Sequence, residues 1–304
     1  MRVFLTGGTG YIGSAVLEAL LRGGHRVTAL VRDPEKASRL GARGVTTVTG
    51  ELGTPKTFTK VLAETDAAIH TAFESSPRGV EKDREAITTL LAGIRGAKTA
   101  TGAPPVFIYT SGVWVLGNTT KPADEETPVD PVEHVSWRPA HEQLVLDAGR
   151  DGIRTVVVRP GIVYGGARGI VSDILKDALN GMMRVIGPGK NRWPTVYARD
   201  LGDLYARLLE APDASGVYHA NDETDERVND IVEAIAEHLT QRPDIRHMPL
   251  PEARRKLGTY ADALALDQRV RSPRAKALGW APTLSSITAN VPRLFEEFRR
   301  GGRP

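Results

Sequence analysis

Residues 131–145 read PVEHVSWRPAHEQLV and bring His134, Trp137, Arg138, His141 and Glu142 into one short stretch. An imidazole has an ordinary pKa of about 6.5, so it can deliver a proton near neutral pH without a partner to tune it. A guanidinium keeps its charge and is suited to holding hydroxyls or an anion. Ser111 and Thr110, at the end of FIYTSG, and Tyr164, at the end of RPGIVY, add hydroxyls. Plainer roles stand beside these: core packing for Trp137, a satisfied helix or surface histidine for His141, and a cap or cation partner for Glu142. Cysteine is absent, which excludes disulfides and thiolate nucleophiles, and no H-x-x-x-H or comparable cluster calls for a metal.

Two local geometries fit this stretch. Asp130, Pro131 and Glu133 have the pattern of an N-cap, first residue and capping-box partner, in a helix that Pro139 then kinks. Alternatively, the helix begins near Ser136, takes Pro139 into its first turn and leaves His134 in a loop. Proline biases Arg138 away from the α region in either case.

The surrounding elements alternate short Val- and Ile-rich runs with segments of helical period, the pattern of βαβ units feeding a parallel sheet. Strands are predicted at Arg2 to Thr6, Arg26 to Val31, Val45 to Thr49, Ala67 to Thr71, Val106 to Thr110, Thr155 to Arg159 and Gly216 to His219. The expected fold is α/β: a Rossmann-type doubly wound parallel sheet with a smaller, mainly helical substrate-binding lobe. Residues 1–164, rejoined by about 193–222, are assigned to the dinucleotide-binding domain, and 165–192 with 223–304 to the lobe. Within the lobe, Met182 and Met183 are expected on an amphipathic helix between two glycine clusters, as core or as the wall of an apolar pocket.

The strongest motif is TGGTGYIG, which follows the first strand and opens the first helix. Gly7 permits the tight turn, Gly10 lets the backbone approach a pyrophosphate, and Gly13 brings helix and strand close. The free N–H groups of the helix then face the phosphates. Thr6, Gly7, Gly10, Tyr11, Ile12 and Gly13 are therefore cofactor-binding candidates. At the end of the second strand, Val31 stands where an NAD-binding acid is expected and Arg32 follows it, which favours NADP over NAD. One register shift would turn Asp33 toward the ribose instead.

The 304 residues are 40% hydrophobic and 25% charged, with a formal net charge of +3, and no apolar run approaches a bilayer span. The basic residues are scattered apart from the terminal FRRGGRP, taken as a solvated end, so a small-molecule substrate is expected, without nucleic acid or membrane as partner. A homodimer is compatible with this composition. The opening residues show no secretory pattern, and cytoplasmic residence is expected.

Taken together, TGGTGYIG, FIYTSG and RPGIVYG resemble the short-chain dehydrogenase/reductase superfamily, in its extended and atypical branches of NAD-dependent epimerase/dehydratase-like proteins. The resemblance implies that Glu51 and Leu52 lie by the adenine, Thr71, Ala72 and Phe73 along the cofactor, and Pro160, Gly161 and Ile162 near the nicotinamide. It also implies a Ser or Thr after the fifth strand and a Tyr followed four residues later by a Lys. Here the serine slot holds Gly112, with Ser111 and Thr110 as neighbours, and the Tyr and Lys slots hold His134 and Arg138. Hydride transfer to a carbonyl needs a proton source and an anchor, roles open to His134 and Arg138 respectively, with Ser111 and Tyr164 as further hydroxyls. The expected activity is NAD(P)H-dependent reduction of a ketone or aldehyde. A nucleotide-sugar epimerase or dehydratase is the alternative, made harder by Arg138 in the lysine slot, and a non-catalytic dinucleotide sensor is a third reading.

Overall fold

The computed structural model describes residues 1–301, so the last three residues of FRRGGRP lie outside the described residues. The chain runs through β1 (Arg2–Thr6), α1 (Tyr11–Arg22), β2 (Arg26–Val31), α2 (Pro34–Gly41), β3 (Thr46–Thr49), α3 (Thr59–Leu62), β4 (Ala67–His70), α4 (Gly79–Ile94), β5 (Val106–Thr110), α5 (Arg138–Asp147) and β6 (Arg154–Pro160). It continues with β7 (Ile162–Tyr164), α6 (Ile170–Leu179), β8 (Met182–Ile186), β9 (Arg192–Trp193), β10 (Thr195–Tyr197), α7 (Ala198–Glu210), β11 (Gly216–Ala220) and β12 (Glu226–Arg227). Then come α8 (Val228–His238), β13 (Asp244–Met248), α9 (Leu250–Leu257), α10 (Tyr260–Leu264), α11 (Pro273–Ala277) and α12 (Val291–Arg299). Phe298 and Arg299, expected in a solvated tail, belong to α12, whose Leu294 and Phe295 are buried.

Seven strands form one sheet in the order β11-β6-β5-β4-β1-β2-β3, and the pairings from β6 through to β3 are parallel. β4, β5 and β6, in the middle of the sheet, are buried along nearly their whole length and read as near-continuous apolar runs, whereas β3, at the edge, has no buried residue. The strand order reverses at β1, which has β4 on one side and β2 on the other. A doubly wound sheet leaves its crevice at such a point, outside the carboxyl ends of the strands.

Two compact units partition the chain. Unit 1 comprises Met1–Ser111, Trp137–Val158 and Leu201–Tyr218, and its core includes Phe4, Phe58, Leu62, Ile87, Phe107 and Val157. Unit 2 comprises Gly112–Ser136, Arg159–Asp200 and the chain from His219 onward, and its core includes Tyr164, Leu175, Trp193, Tyr197, Ile231 and Phe295. The boundaries differ from the expected ones: residues 112–136 and 159–164, assigned by sequence to the dinucleotide-binding domain, fall in unit 2.

Unit 2 is mainly helical, in α6 and α8 to α12, and adds three two-stranded sheets: β8 and β13 pair in parallel, β7 and β10 pair in parallel, and β9 pairs antiparallel with β12. Met182 and Met183 are on β8 rather than on a helix. Asn180 caps α6, and Gly181, at φ +85°, turns the chain out of it before the methionines. No helix among the described residues is long and apolar enough to cross a membrane.

Candidate functional site

Unit 1 contains a groove of about 430 Å³ at the carboxyl ends of β1, β2 and β4. Its lining gathers Thr6, Gly7, Gly10, Tyr11, Ile12, Arg32, Glu51, Leu52, Thr71, Ala72 and Phe73, all expected as cofactor-binding residues. Sequence reasoning did not single out Thr9, Leu30, Gly50, Glu74 and Ser75, which complete it. Gly7 has φ +76°, and a Cβ there would stand 2.7 Å from the Ala72 nitrogen. A Cβ on Gly13 would fall 2.1 Å from the Gly7 carbonyl oxygen, so Gly13 acts beneath the groove, by letting α1 pack on the turn. Gly10 caps α1 without a side chain, and the first turn carries no acid, a helix start whose charge suits an anion.

The end of β2 separates the roles of two neighbours. Arg32 is exposed and lines the groove. Asp33 caps α2, accepting the Glu35 N–H at 2.9 Å and the Lys36 N–H at 3.4 Å. Its carboxylate is thereby engaged outside the groove lining. Glu74, also on the lining, is held below the usual carboxylate range chiefly by two hydrogen bonds from the Lys82 ammonium, with the Arg32 charge adding to the effect.

Arg138 lies at the first residue of α5, with Trp137 as N-cap and Pro139 within the first turn. The later helix start is the one adopted, and Arg138 is helical despite the proline that follows it. The guanidinium lies 4.4 Å from the Trp137 ring centroid and 5.7 Å from that of Phe73, and donates to the Thr110 carbonyl at 3.2 Å. Phe73 and Trp137 stack with centroids 5.2 Å apart. Thr110 Oγ1 pairs with the buried Tyr205 hydroxyl at 2.6 Å. Neither Thr110 nor Arg138 is among the groove-lining residues.

Behind the groove is a buried polar network that sequence reasoning missed. Thr6 Oγ1 pairs with His70 Nδ1 at 2.6 Å, and His70 Nε2 donates to Asp83 at 3.2 Å. Asp83 also accepts from the Tyr109 hydroxyl and from His141 Nδ1, each at 2.8 Å. Burial pushes the Asp83 carboxyl up, but hydrogen bonds from His141, His70 and Tyr109 outweigh it and hold the group well below its ordinary range. His141 is thus a satisfied buried residue that packs edge-on against Trp137. Ser111 donates to Glu142, with both residues buried, so this hydroxyl and this carboxylate are mutual partners. The available signal was an acid on the apolar stripe of α4, among Gly79, Ala86, Ile87 and Leu90.

His134 belongs to unit 2, in a short turn of 3₁₀ helix, Glu133–Val135. The ring is 5.3 Å from Tyr260 and 6.2 Å from Trp114, and Nδ1 is 3.1 Å from Thr259 Oγ1. Tyr164 does not face a crevice: it is fully buried, donates to the Leu284 carbonyl at 2.9 Å, and burial raises its pKa far above the ordinary phenol value. Pro160, Gly161 and Ile162 are likewise in unit 2, where Gly161 N–H donates to the Ala220 carbonyl and Ile162 N–H to that of Pro194. They join β6 to β7 and are not among the residues lining the groove.

Residues 3–221 match the NAD dependent epimerase/dehydratase family. The chain belongs to this family. Among its relatives is an uncharacterized protein of Schizosaccharomyces pombe, 31% identical over 301 residues, 96% of this chain and 98% of that one. The 4-hydroxy-2-methyl-3-oxo-4-farnesyl-3,4-dihydroquinoline-1-oxide ketoreductase of Stigmatella aurantiaca is 28% identical, covering 84% of this chain and 78% of its own. The UDP-glucose 4-epimerase of Thermus thermophilus, solved in complex with NAD, superposes with a TM-score of 0.81 at 21% identity, covering 98% of this chain and 99% of that one. At that identity the likeness is one of fold.

Proposed function

We propose that this family member is a cytoplasmic NADPH-dependent oxidoreductase that reduces a ketone or aldehyde group on a small organic molecule. The observation that carries the cofactor choice is the division of labour after β2: Arg32 lines the groove while the Asp33 carboxylate caps α2. A 2′-phosphate suits an exposed guanidinium, whereas a ribose 2′-hydroxyl calls for a carboxylate acceptor at this strand end. The residues present fit a dinucleotide, because a Cβ on Gly10, on the groove lining, would meet no atom but the Gly7 carbonyl oxygen and would stand in the groove, and a start of α1 with no side-chain cap suits a pyrophosphate.

When bound, a reduced nicotinamide supplies the hydride that converts a carbonyl to an alkoxide. Arg32 and the α1 N-terminus bind the phosphates, and Arg138, held by Thr110, Trp137 and Phe73, is the anchor for ribose hydroxyls. Of the candidates for the proton that completes the alcohol, Tyr164 is buried and Ser111 is engaged by Glu142, which leaves His134 as the one to test. The ketoreductase relative supports the reaction class. Fluorescence titration with NADPH and NADH, followed by absorbance decay against a panel of ketones and aldehydes, tests the reading. Tighter NADPH binding with carbonyl-dependent oxidation is expected, and binding without turnover across the panel would move the chain toward a sensor or an epimerase.

A further inference from the structure

Unit 2 has a cavity of its own, about 430 Å³, bounded by α6, β8, β13 and α10, a volume within the range of small-molecule sites. Ile174, Val185, Trp193, Met248, Tyr260 and Leu264 form its walls. The Trp193 indole N–H donates to the Leu264 carbonyl at 3.1 Å, so its donor is used and the ring presents an apolar surface. Burial, reinforced by Asp173, raises the Tyr260 phenol above its ordinary value and keeps it uncharged.

The charges around this cavity disfavour an anion. Arg184 is 3.6 Å from Asp177, and Lys256 donates to Glu252 at 2.7 Å, so both lining cations are already paired. Asp173 stands exposed on the same lining, one residue before Ile174. A diphosphate entering here would meet two carboxylates and no uncommitted guanidinium or ammonium on the lining. Desolvating its charge without compensation carries a large cost, whereas hydrocarbon loses nothing by leaving water for these walls. The His134 ring, 5.3 Å from the Tyr260 ring, brings an imidazole beside one wall.

We propose that this cavity is a binding site for an uncharged alkyl, prenyl or aromatic carbonyl compound and not for a sugar nucleotide. The carbonyl in that statement rests on the reductase reading; the apolar occupant rests on the cavity alone.

The test uses N-phenyl-1-naphthylamine, an uncharged probe whose fluorescence rises in apolar surroundings, with the full chain and without cofactor. Saturable probe binding is expected, displaced by long-chain alkyl ketones and untouched by UDP-glucose at the same concentration. Met248→Trp, which fills the cavity, and Ile174→Asp, which adds a charge to it, are each expected to weaken probe binding at least about tenfold while NADPH titration and the thermal unfolding midpoint identify which variants remain folded. Displacement by UDP-glucose, or wild-type affinity for the probe in both folded variants, would overturn the proposal, as would failure of alkyl ketones to compete with the wild-type chain. The probe titration reads no turnover, so beside the absorbance assay with NADPH the two readings separate: ketone binding without NADPH oxidation would sink the reductase reading and leave the apolar site standing, whereas NADPH oxidation with no probe or ketone binding in this cavity would do the reverse.

Discussion

Arg32 and Asp33 are adjacent in sequence, yet one lines the groove and the other caps a helix. Arg32→Glu is therefore expected to weaken NADPH at least about tenfold, a cost of about 1.4 kcal/mol, while NADH affinity holds or improves. Equal losses for both cofactors in a fluorescence titration would remove the 2′-phosphate role. His134→Ala is expected to lower kcat about a hundredfold with NADPH affinity unchanged, since a lone general acid contributes on that order. An unaltered kcat would return His134 to a surface role. The glycines and Arg32 were legible because their work is local to one turn. Tyr164 was misplaced because a strand-end position does not reveal which side of β7 faces the core, and Ser111 because its partner Glu142 comes from α5.

The same limit operates between elements. The strands of the large sheet were readable to within a residue or two, because its middle strands are continuous apolar runs, whereas the short strands of unit 2 were not. The Asp83 network was not, since it joins α4 to β4, β5 and α5 across the fold. Asp83→Ala leaves His70, His141 and Tyr109 without their shared acceptor, and a loss of about 3 kcal/mol in a denaturant melt is expected. The pH dependence has a definite sign. Asp83 is held below its unfolded value, as is Asp66, which burial pushes up but Arg2 and the Ala100 N–H bring down to about 2. Their contribution is full above the unfolded carboxylate pKa, near 4, and is lost as the pH falls toward the folded values. Wild-type stability should fall steeply below about pH 4, and less so in Asp83→Asn. Parallel pH curves for the two proteins would contradict this account. The methionines show a related difficulty: Gly181 ends α6 one residue before Met182, and a short apolar run does not by itself distinguish helix from strand.

At the scale of the molecule, the chain leaves unit 1 at Gly112, returns at Trp137, leaves at Arg159 and returns again at Leu201. A sequence boundary at 164 followed the end of a motif, and motifs mark chemistry rather than contact density. Because α7 contributes Leu201, Leu204, Tyr205 and Leu208 to buried positions, a fragment of residues 1–164 should lack a cooperative unfolding transition. A sharp calorimetric transition from that fragment would show that α7 is dispensable. Ligand linkage offers a check on the intact chain: NADPH at 100 times its Kd should stabilise it by about 2.7 kcal/mol, visible as a higher Tm. The central claim is carbonyl reduction by hydride from NADPH, and isotope transfer tests it most directly. With NADPH carrying deuterium at both C4 positions and a long-chain alkyl ketone, mass spectrometry should find an alcohol with one deuterium on the carbinol carbon. Recovery of unchanged ketone beside intact, bound NADPH would contradict it.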